Sequence, residues 1–308
     1  MSKKCLILGA DGFLGSYFTE KLLAKGCKIR AFDIFRDGKS NNLEHLRGKI
    51  EFFAGDFLNQ NDTFHAAKNI NAVFHFISST TPASSNRDPL IDIDVNLRAT
   101  VHLLEKCVQH KVEQIVFPSS GGTIYGNIKK EKFSENDLTV PITPYGISKL
   151  AIERYLEYFN INFGLDYLIF RYSNPYGPRQ NLVGSQGIIP IFLNKIRNNE
   201  AISIFGDGEN VRDYIYIEDS INLSLEFFFK INRKFNVYNI GSGTGISINE
   251  IVRIIKKVTG KKFLIKYLPA RSCDLRRVVL DNSRLLTEAD NRNFVSLEEG
   301  IRLLWESI

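Results

Sequence analysis

The 308-residue chain has few residues of the types that build metal sites or disulfides. Its four cysteines, Cys5, Cys27, Cys107 and Cys273, are widely separated and have no Cys-x-x-Cys spacing, so we expect buried thiols rather than a zinc site or a disulfide framework. The five histidines are isolated from one another, and no metal site is predicted. His75 stands within the apolar run AVFHFIS, where a hydrogen-bonded core residue is expected.

Long apolar runs and blocks of charge are also missing. The N-terminus, MSKKCLILGADG, has only about four apolar residues before its first glycine, which is too short for a signal peptide or a membrane span. A cytoplasmic protein with no membrane contact is therefore expected. The formal charge is +6, but lysine and arginine are spread along the chain, which argues against a nucleic-acid surface and would suit an anionic small molecule.

The first half of the chain alternates short apolar runs with helix-like segments. The runs are KCLIL, KIRAFD, IEFFAGD, AVFHFIS, QIVFPSS and YLIFRYS. Continuous hydrophobicity marks strands buried on both faces, and strands separated by helices form βαβ units with a parallel sheet. The sequence predicts an α/β fold with a Rossmann-type doubly wound parallel sheet over residues 1–174. A smaller C-terminal α/β substrate lobe follows over 175–308, and some of its segments return to the first domain.

Two helical segments, at about 97–109 and 145–163, carry apolar residues on more than one face. In the second segment Ile147 and Tyr158 belong to one stripe, and Ile152 belongs to another. A helix that is apolar all round must be covered on both sides. Because the sheet can cover only one side, we expect the other side to meet a second subunit in a homodimer.

The glycine-rich stretch GADGFLG lies between the strand KCLIL and a helix-like segment. Glycines in this position allow a tight turn and a close approach of backbone N–H groups to a pyrophosphate, and the helix N-terminus favours the negative charge. The next strand ends at Asp33, eighteen residues after Gly15, where an acid can accept hydrogen bonds from the adenosine ribose and repels a 2′-phosphate. NAD is therefore favoured over NADP, although Arg36 and Lys39 are near enough in sequence to weaken that preference. The predicted cofactor loop comprises Gly9, Gly12, Phe13, Leu14 and Gly15.

A second glycine-rich stretch, IGSGTGIS at 240–247, also lies between an apolar strand and a helix. No acid follows it at the required distance, since the next apolar run carries Lys266. Ser247 and Glu250 have the spacing of a capping box, so we interpret this stretch as a turn and a helix start.

The stretch TPYGISKLA puts Tyr145 and Lys149 four residues apart at the start of a predicted helix. Thr143 can cap this helix and Pro144 suits its first position, so the two side chains share one side. A phenol ionises near pH 10, so it can act as a base near neutrality only if its pKa is lowered. A neighbouring ammonium and an oxidised nicotinamide ring supply positive charge of the right sign. The same spacing is also common where the ring only packs and the amine is solvated.

The context favours a chemical role for this pair. The strand QIVFPSS runs into PSSGGTIYG, which supplies Ser119, Ser120 and Thr123 at the C-terminal edge of the sheet, where ligands of such folds bind. A hydroxyl donor and a tyrosine and lysine beside a nicotinamide suit hydride transfer at a carbinol carbon.

The order and spacing of these motifs resemble the extended short-chain dehydrogenases/reductases, most closely the nucleotide-sugar 4-epimerases of the UDP-glucose/UDP-N-acetylglucosamine type. The resemblance runs the whole length and rests on GADGFLG, Asp33, GDF, VNLRAT, SSGGTIYG, YGISK, RYSNPYGPRQ, FGDGENVRDYIYIED, YNIGSGTG and RSCDLRR. It implies NAD-dependent inversion of C4 of a nucleotide-diphosphate hexose through a 4-keto intermediate, for surface polysaccharide synthesis.

The resemblance also implies roles for individual residues. Tyr145 would remove the proton of the sugar 4-hydroxyl while NAD+ takes the hydride, and Lys149 would bind the nicotinamide ribose and lower the pKa of the tyrosine. The family's cofactor contacts match Asp56 and Phe57 at the adenine, Phe76, Ile77 and Ser78 along the cofactor cleft, and Asn96, Ser119 and Tyr172 elsewhere.

The substrate side of the site is also matched by resemblance. The hydroxyl that bonds the 4-oxygen corresponds best to Ser120, with Ser119 and Thr123 as alternatives, because the count back from Tyr125 falls on Gly121. Asn174, Arg212 and Arg271 match residues that hold the diphosphate. Val278 stands where glucose-restricted relatives carry a bulky aromatic residue, so it leaves room for an N-acetyl group. The resemblance therefore implies UDP-Glc and UDP-Gal, or UDP-GlcNAc and UDP-GalNAc, as substrates.

Two other functions fit parts of the same pattern. An NAD(P)H-dependent reductase of a nucleotide-linked 4-keto-6-deoxysugar shares the glycine loop, Tyr145 and Lys149, but it consumes a reduced cofactor. A non-catalytic cofactor-sensing protein would share the fold, although retention of both side chains argues against it. A dehydratase is disfavoured because GGTIYG lacks an acid pair.

Overall fold

The computed structural model describes residues 2–184, 186–271, 274–290 and 292–308. Within these ranges the chain forms a seven-stranded sheet. Its strands are β1 (Lys4–Leu8), β2 (Lys28–Asp33), β3 (Glu51–Ala54), β4 (Ala72–His75), β5 (Gln114–Ser120), β6 (Asp166–Tyr172) and β10 (Val237–Ile240). The strands β1 to β6 coincide with the six apolar runs, so the predicted Rossmann-type α/β fold is confirmed. The order of the strands in the sheet is β10-β6-β5-β4-β1-β2-β3.

The centre of this sheet is parallel, and its register brings the candidate loops to one edge. β1 pairs in parallel with β2 and β4, so that Leu8 lies opposite Phe32 on one side and His75 on the other. The chain leaves all three strands at their carboxyl ends, where parallel α/β sheets bind ligands.

Helices separate these strands, as βαβ connections require. They are α1 (Phe13–Ala24), α2 (Gln60–Ala67), α3 (Pro82–Ser85), α4 (Pro89–Ile91), α5 (Ala99–Gln109) and α6 (Pro144–Phe163), with a π-helix at Asp92–Arg98 and short 3-10 turns at Arg36–Gly38 and Glu44–Leu46. Apolar side chains from α5 and α6, including Leu103, Leu104, Ile152 and Leu156, pack against the sheet in one buried cluster.

The chain divides into two compact units. Unit 1 consists of residues 1–119, 141–170 and 225–237, and unit 2 consists of 120–140, 171–224 and 238–308. The division at residue 174 that was expected from the sequence differs from this one, because the segments 120–140 and 171–174 cluster with unit 2. A later segment, 225–237, lies with unit 1.

Unit 2 contains two smaller sheets among its described residues. β9 (Val211–Tyr216) pairs with β7 (Asn174–Tyr176), β11 (Gly245–Ser247) and β13 (Arg277–Val278), and β8 (Ile202–Phe205) pairs with β12 (Ile265–Leu268). The remaining helices are α7 (Ile188–Arg197), α8 (Ile217–Phe229), α9 (Ile248–Thr259), α10 (Ser283–Glu288) and α11 (Leu297–Ser307). Ser247 and Glu250 form the capping box at the start of α9, as predicted.

The cysteine prediction is confirmed where the structure describes it. Cys5, Cys27 and Cys107 are free and buried, whereas Cys273 lies outside the described residues. None of the described helices is long and apolar enough to span a bilayer.

Candidate active site

The glycine loop between β1 and α1 leaves room for a bound anion. Gly9 has a φ of +77°, and its N–H donates to Phe32 O at 3.0 Å. A Cβ on Gly15 would overlap Gly9 O, so helix and loop approach more closely than any side chain allows. Gly12 is the N-cap residue of α1 and has no side chain that could accept hydrogen bonds from the first turn, so the backbone N–H groups at this helix N-terminus are left for a ligand. This geometry fits the pyrophosphate of a dinucleotide.

Asp33 lies at the end of β2 beside the glycine loop. Its carboxylate accepts hydrogen bonds from the backbone N–H groups of Asp11, at 3.0 Å, and Ile34, at 2.8 Å. Burial raises the pKa of Asp33. The side chain is only half-buried, so its carboxylate has further acceptor capacity for a ribose hydroxyl.

A second carboxylate, Asp11, fixes the chain that follows β2. It accepts hydrogen bonds from the Ser40 hydroxyl and from the N–H groups of Asn41 (2.8 Å) and Asn42 (2.9 Å). The Asn42 side-chain amide donates to Asp11 O in return, at 2.6 Å. These bonds hold residues 40–42 against the glycine loop. The sequence analysis missed this role, because Asp11 stands at a variable position of the loop pattern.

The residues predicted to contact the cofactor after β3 and after β4 have different surroundings. Ile77 N and Phe76 C lie 3.2 Å from the point where a Cβ on Gly9 would stand, so their backbone borders the glycine loop. Phe57 is buried, and its ring packs on His75 with the centroids 4.8 Å apart. Asp56 lies just before it in the exposed turn and accepts from Leu58 N at 2.9 Å.

Asn96 holds the loop after β4 in place. Its side-chain oxygen accepts from Ser79 N at 3.2 Å, and its amide donates to Thr80 Oγ1 and Asp92 Oδ1, both at 2.8 Å. The side chain that was predicted to contact the cofactor therefore also organises the loop that carries Ser78.

Tyr145 and Lys149 lie on one side of α6, as predicted. Thr143 caps the helix by accepting from Gly146 N at 3.2 Å, and Pro144 is the first helical residue. Lys149 is buried, its Nζ donates to Pro118 O at 2.9 Å, and the same atom lies 5.6 Å from the centroid of the Tyr145 ring. The pair therefore forms inside unit 1.

The direction of the Tyr145 pKa is opposite to the sequence prediction. Burial raises this pKa to about 12, the charge of Asp92 adds to the increase, and a hydrogen bond with the Ser78 side chain opposes it. Burial lowers the pKa of Lys149 to about 8, while Asp92 and Glu153 raise it. The prediction counted the positive charge of Lys149 and of an oxidised nicotinamide ring, but not the desolvation of the phenol or the charge of Asp92, which raise the pKa in this structure.

The three candidate hydroxyls have different surroundings. The Ser119 hydroxyl is buried and donates to Glu153 Oε1 at 2.5 Å, so it is already committed. In unit 2 the Thr123 hydroxyl is buried without a hydrogen-bond partner among the described residues. A Cβ on Gly121 would lie 2.6 Å from Cδ1 of Leu280, so a hydroxyl-bearing side chain there would require the Leu280 side chain to move. These contacts favour Ser120 and Thr123 over Ser119.

Unit 2 contains a cavity of about 580 Å³. It brings together Asn174, Arg212 and Arg271, which were predicted to hold a diphosphate. Asn174 donates to Asp213 O at 2.8 Å. The cavity is also lined by side chains that were not predicted from the sequence, including Tyr176, Lys195, Phe205, Asn210, Tyr214 and Asp274.

The two arginines of this cavity are held differently. Burial lowers the pKa of Arg212, whose guanidinium donates to its neighbour's carbonyl, Val211 O, at 2.8 Å. Arg271 forms a two-point contact with Asp274, at 2.9 and 3.0 Å, and lies over the Phe205 ring at 4.4 Å. Planar cations fixed in this way suit a diphosphate.

Comparison with known proteins decides the family. The NAD dependent epimerase/dehydratase family matches residues 5–241. This chain belongs to that family. Its cofactor is therefore NAD, which confirms the prediction made from the glycine loop and Asp33, and the resemblance to nucleotide-sugar 4-epimerases of the short-chain dehydrogenase/reductase type is confirmed as well.

Three relatives of this epimerase/dehydratase chain cover almost its whole length. The UDP-glucose 4-epimerase of Thermotoga maritima, solved with UDP-glucose, is 34% identical with a TM-score of 0.90 and covers 99% of this chain and 98% of its own. The Thermus thermophilus UDP-glucose 4-epimerase, solved with NAD, is 32% identical with a TM-score of 0.91 and covers 99% of this chain and 98% of its own. An Escherichia coli dTDP-4-dehydro-6-deoxyglucose reductase is 32% identical over 98% of this chain and 96% of its own.

Two predicted contacts of this family member lie in the interior of unit 2. The Tyr172 ring is buried and its hydroxyl shares a 2.6 Å hydrogen bond with Ser224 Oγ, and the Tyr172 carbonyl accepts from Gly121 N at 2.8 Å. Val278 is 3% exposed and pairs with Arg212 through β13 and β9. Its side chain is not part of the described lining of the cavity.

His75 was predicted to be a core residue, and this is confirmed. It is buried and its Nε2 lies 2.8 Å from Thr100 Oγ1. Two buried carboxylates near Lys149, Asp92 and Glu153, were missed. Glu153 follows Lys149 by one helical turn and could have been recognised from that spacing, whereas Asp92 gives no local signal.

Proposed function

We propose that this protein is an NAD-dependent 4-epimerase of a nucleotide-diphosphate hexose, acting in surface polysaccharide synthesis. The observation that carries the proposal is the half-buried Tyr145 beside the buried Lys149, on a chain that keeps the glycine loop of an NAD-dependent family. A resident oxidised cofactor suits a reaction that begins and ends with NAD+.

The residues of unit 1 would hold NAD by the groups already described. The N-terminus of α1 and Gly12 face the pyrophosphate, Asp33 accepts from the adenosine ribose, and Lys149 donates to the nicotinamide ribose. When bound, NAD+ accepts a hydride and supplies positive charge. Every other part of the reaction falls to the chain's own side chains.

Tyr145 is the group that exchanges a proton with the sugar 4-hydroxyl. Its raised pKa means that the phenol is protonated at neutral pH in the structure described here. The phenol becomes a base only when further positive charge enters its surroundings, so proton removal is coupled to cofactor binding. Ser120 or Thr123 supplies the hydroxyl that bonds the 4-oxygen.

The cavity of unit 2 is proposed to bind the nucleotide diphosphate. Arg212 and Arg271 balance the two phosphate charges, and the Phe205 ring holds the Arg271 guanidinium in place from below at 4.4 Å. UDP is the proposed carrier because the Thermotoga maritima relative was solved with UDP-glucose. UDP-GlcNAc is a second candidate substrate because Val278 is small, and a bulkier side chain at this buried position would push its neighbours toward the cavity.

The homodimer is proposed to form through α5 and α6. Ile147, Ile161 and Phe163 are exposed on α6, whereas Ile152 and Leu156 on the same helix are buried in unit 1. An exposed apolar stripe opposite a buried one is typical of a helix that meets a second chain.

The reductase is retained as the second function because the Escherichia coli relative carries that name. To separate the two functions, purified protein is incubated with UDP-glucose or UDP-GlcNAc without added cofactor, and the sugars are separated by chromatography. We expect each accepted sugar to approach an equilibrium mixture of its C4 epimers. Turnover of a 4-keto-6-deoxysugar that consumes NADH or NADPH one for one, with no epimerisation, would contradict the proposal.

A further inference from the structure

The π-helix Asp92–Arg98 carries a carboxylate into the interior of unit 1. Asp92 is 1% exposed. Its Oδ1 accepts hydrogen bonds from Thr80 Oγ1 at 2.7 Å and Asn96 Nδ2 at 2.8 Å, but its Oδ2 has no partner among the described residues. π-Helical turns are rare and are frequently found at functional sites, and a buried acceptor without a partner requires an explanation.

His75 presents a second acceptor without a partner. The Thr100 hydroxyl donates to Asn96 O at 2.6 Å, so the Thr100 oxygen must accept from Nε2 of His75. The histidine therefore carries its proton on Nε2, and Nδ1 is a bare acceptor that is buried and without a partner among the described residues. Burial lowers the pKa of His75 to about 3, so the ring stays neutral.

Asp92, His75 and Lys149 line one small cavity of about 10 Å³. Lys149 uses one of its three N–H groups for Pro118 O and so has donors to spare. A space of this size is close to the minimum that one water molecule requires, and buried waters typically make about three hydrogen bonds to otherwise unpaired polar groups. Two bare acceptors and one donor provide that set.

We propose that this cavity binds one water molecule, which donates to Asp92 Oδ2 and His75 Nδ1 and accepts from Lys149, making Asp92 a positioning residue that holds the lysine as an ammonium. The inference rests on the proposed function only for its kinetic consequence. The water site and the charge of Lys149 are properties of unit 1 that can be measured without turnover.

The other ionisable groups near this site do not replace Asp92. Glu153 also faces Lys149, but its carboxylate accepts the Ser119 hydroxyl. Tyr145 faces Asp92 and is a neutral phenol at pH 7. On the outer side of the π-helix, Asp94 pairs with Arg98 at 3.2 Å in exposed positions.

The test compares Asp92→Asn with a matched control on the same π-helix, Asp94→Asn. Lysine labelled with 13C at Cε is followed by NMR in the protein without substrate, and the Lys149 signal is assigned by its loss in Lys149→Met. We expect Asp92→Asn to lower the titration midpoint of Lys149 by about one pH unit or more, since it removes a nearby opposite charge. Asp94→Asn should leave the Lys149 midpoint unchanged. Asp92→Glu keeps the negative charge, so its midpoint should lie close to that of the unaltered protein.

An unchanged midpoint in folded Asp92→Asn would overturn the proposal. If this variant does not fold, a high-resolution crystal structure of the unaltered protein decides: density for one water between the three side chains supports the proposal, and an ordered cavity without water overturns it.

In active enzyme both limbs of the pH profile of kcat should move to lower pH in Asp92→Asn, because loss of a negative charge eases proton loss from Tyr145 and Lys149. A purely structural effect would lower kcat without moving the limbs. Failure of epimerase activity leaves the NMR and crystallographic results intact.

Discussion

Replacement of Gly15 by alanine tests how closely α1 must approach the glycine loop. The added Cβ would overlap Gly9 O and would lie 2.9 Å from Gly9 C and 3.0 Å from Ala10 Cα. Carbon atoms prefer separations of about 3.5–4.0 Å, and backbone atoms cannot rotate away as a side chain can. Overpacking of this kind costs about 1–3 kcal/mol, whereas the better helix propensity of alanine returns at most about 1 kcal/mol. Net destabilisation is therefore expected.

The assay for Gly15→Ala has two readouts, the melting temperature and the NAD that remains bound after gel filtration. A net loss of about 1–2 kcal/mol, at about 2–4 °C per kcal/mol, predicts a fall of roughly 2–8 °C, and we expect loss of most of the bound NAD because α1 moves away from the loop. Gly184→Ala is the control, since its Cβ would meet only the Asn181 amide, at 3.8 Å. A Gly15→Ala protein with the original melting temperature and NAD content would refute the reasoning.

Three further predictions address stability, substrate binding and assembly. Burial raises the pKa of Asp213 from 3.8 to about 6 in the folded protein. Because the folded pKa is higher than the unfolded one, the free energy of unfolding falls by roughly 3 kcal/mol as the pH rises from about 4 to above 6 and Asp213 ionises. Melting curves from pH 4 to 7 should therefore show Asp213→Asn gaining stability relative to the unaltered protein as the pH rises, and a constant difference would contradict this. Arg212→Lys should raise KM for the nucleotide sugar about 10–100-fold through loss of charged hydrogen bonds, and an unchanged KM would rule out the diphosphate role. Ile161→Asp should convert the proposed dimer to a monomer by light scattering, whereas Ile231→Asp, at a still more exposed isoleucine outside α6, should not; a dimeric Ile161→Asp protein would exclude this face.

The sequence predicted the features that depend on local pattern. The six parallel strands follow from continuous apolar runs, and the start of α6 follows from Thr143 and Pro144. The common side of Tyr145 and Lys149 follows from helical spacing alone. These features are encoded by residues within a few positions of each other, so no tertiary information is needed to infer them.

Features that depend on long-range packing could not be predicted. The direction of the Tyr145 pKa depends on burial and on Asp92, which comes from a different helix. The close contact that a side chain at position 121 would make is with Leu280, which is distant in sequence. The boundary between the two units that falls between Ser119 and Ser120 also has no local sequence signal, since both residues belong to one predicted strand.

The central claim is that the Tyr145 phenol carries the proton of the reaction, and Tyr145→Phe tests it most directly. The variant removes only the hydroxyl, so NAD should remain bound while the epimerisation rate without added cofactor falls by about 10²–10⁴-fold. Tyr267→Phe, which removes an exposed phenol of unit 2, serves as the control and should keep the original rate. A Tyr145→Phe protein that retains NAD and epimerises at the original rate would contradict the account.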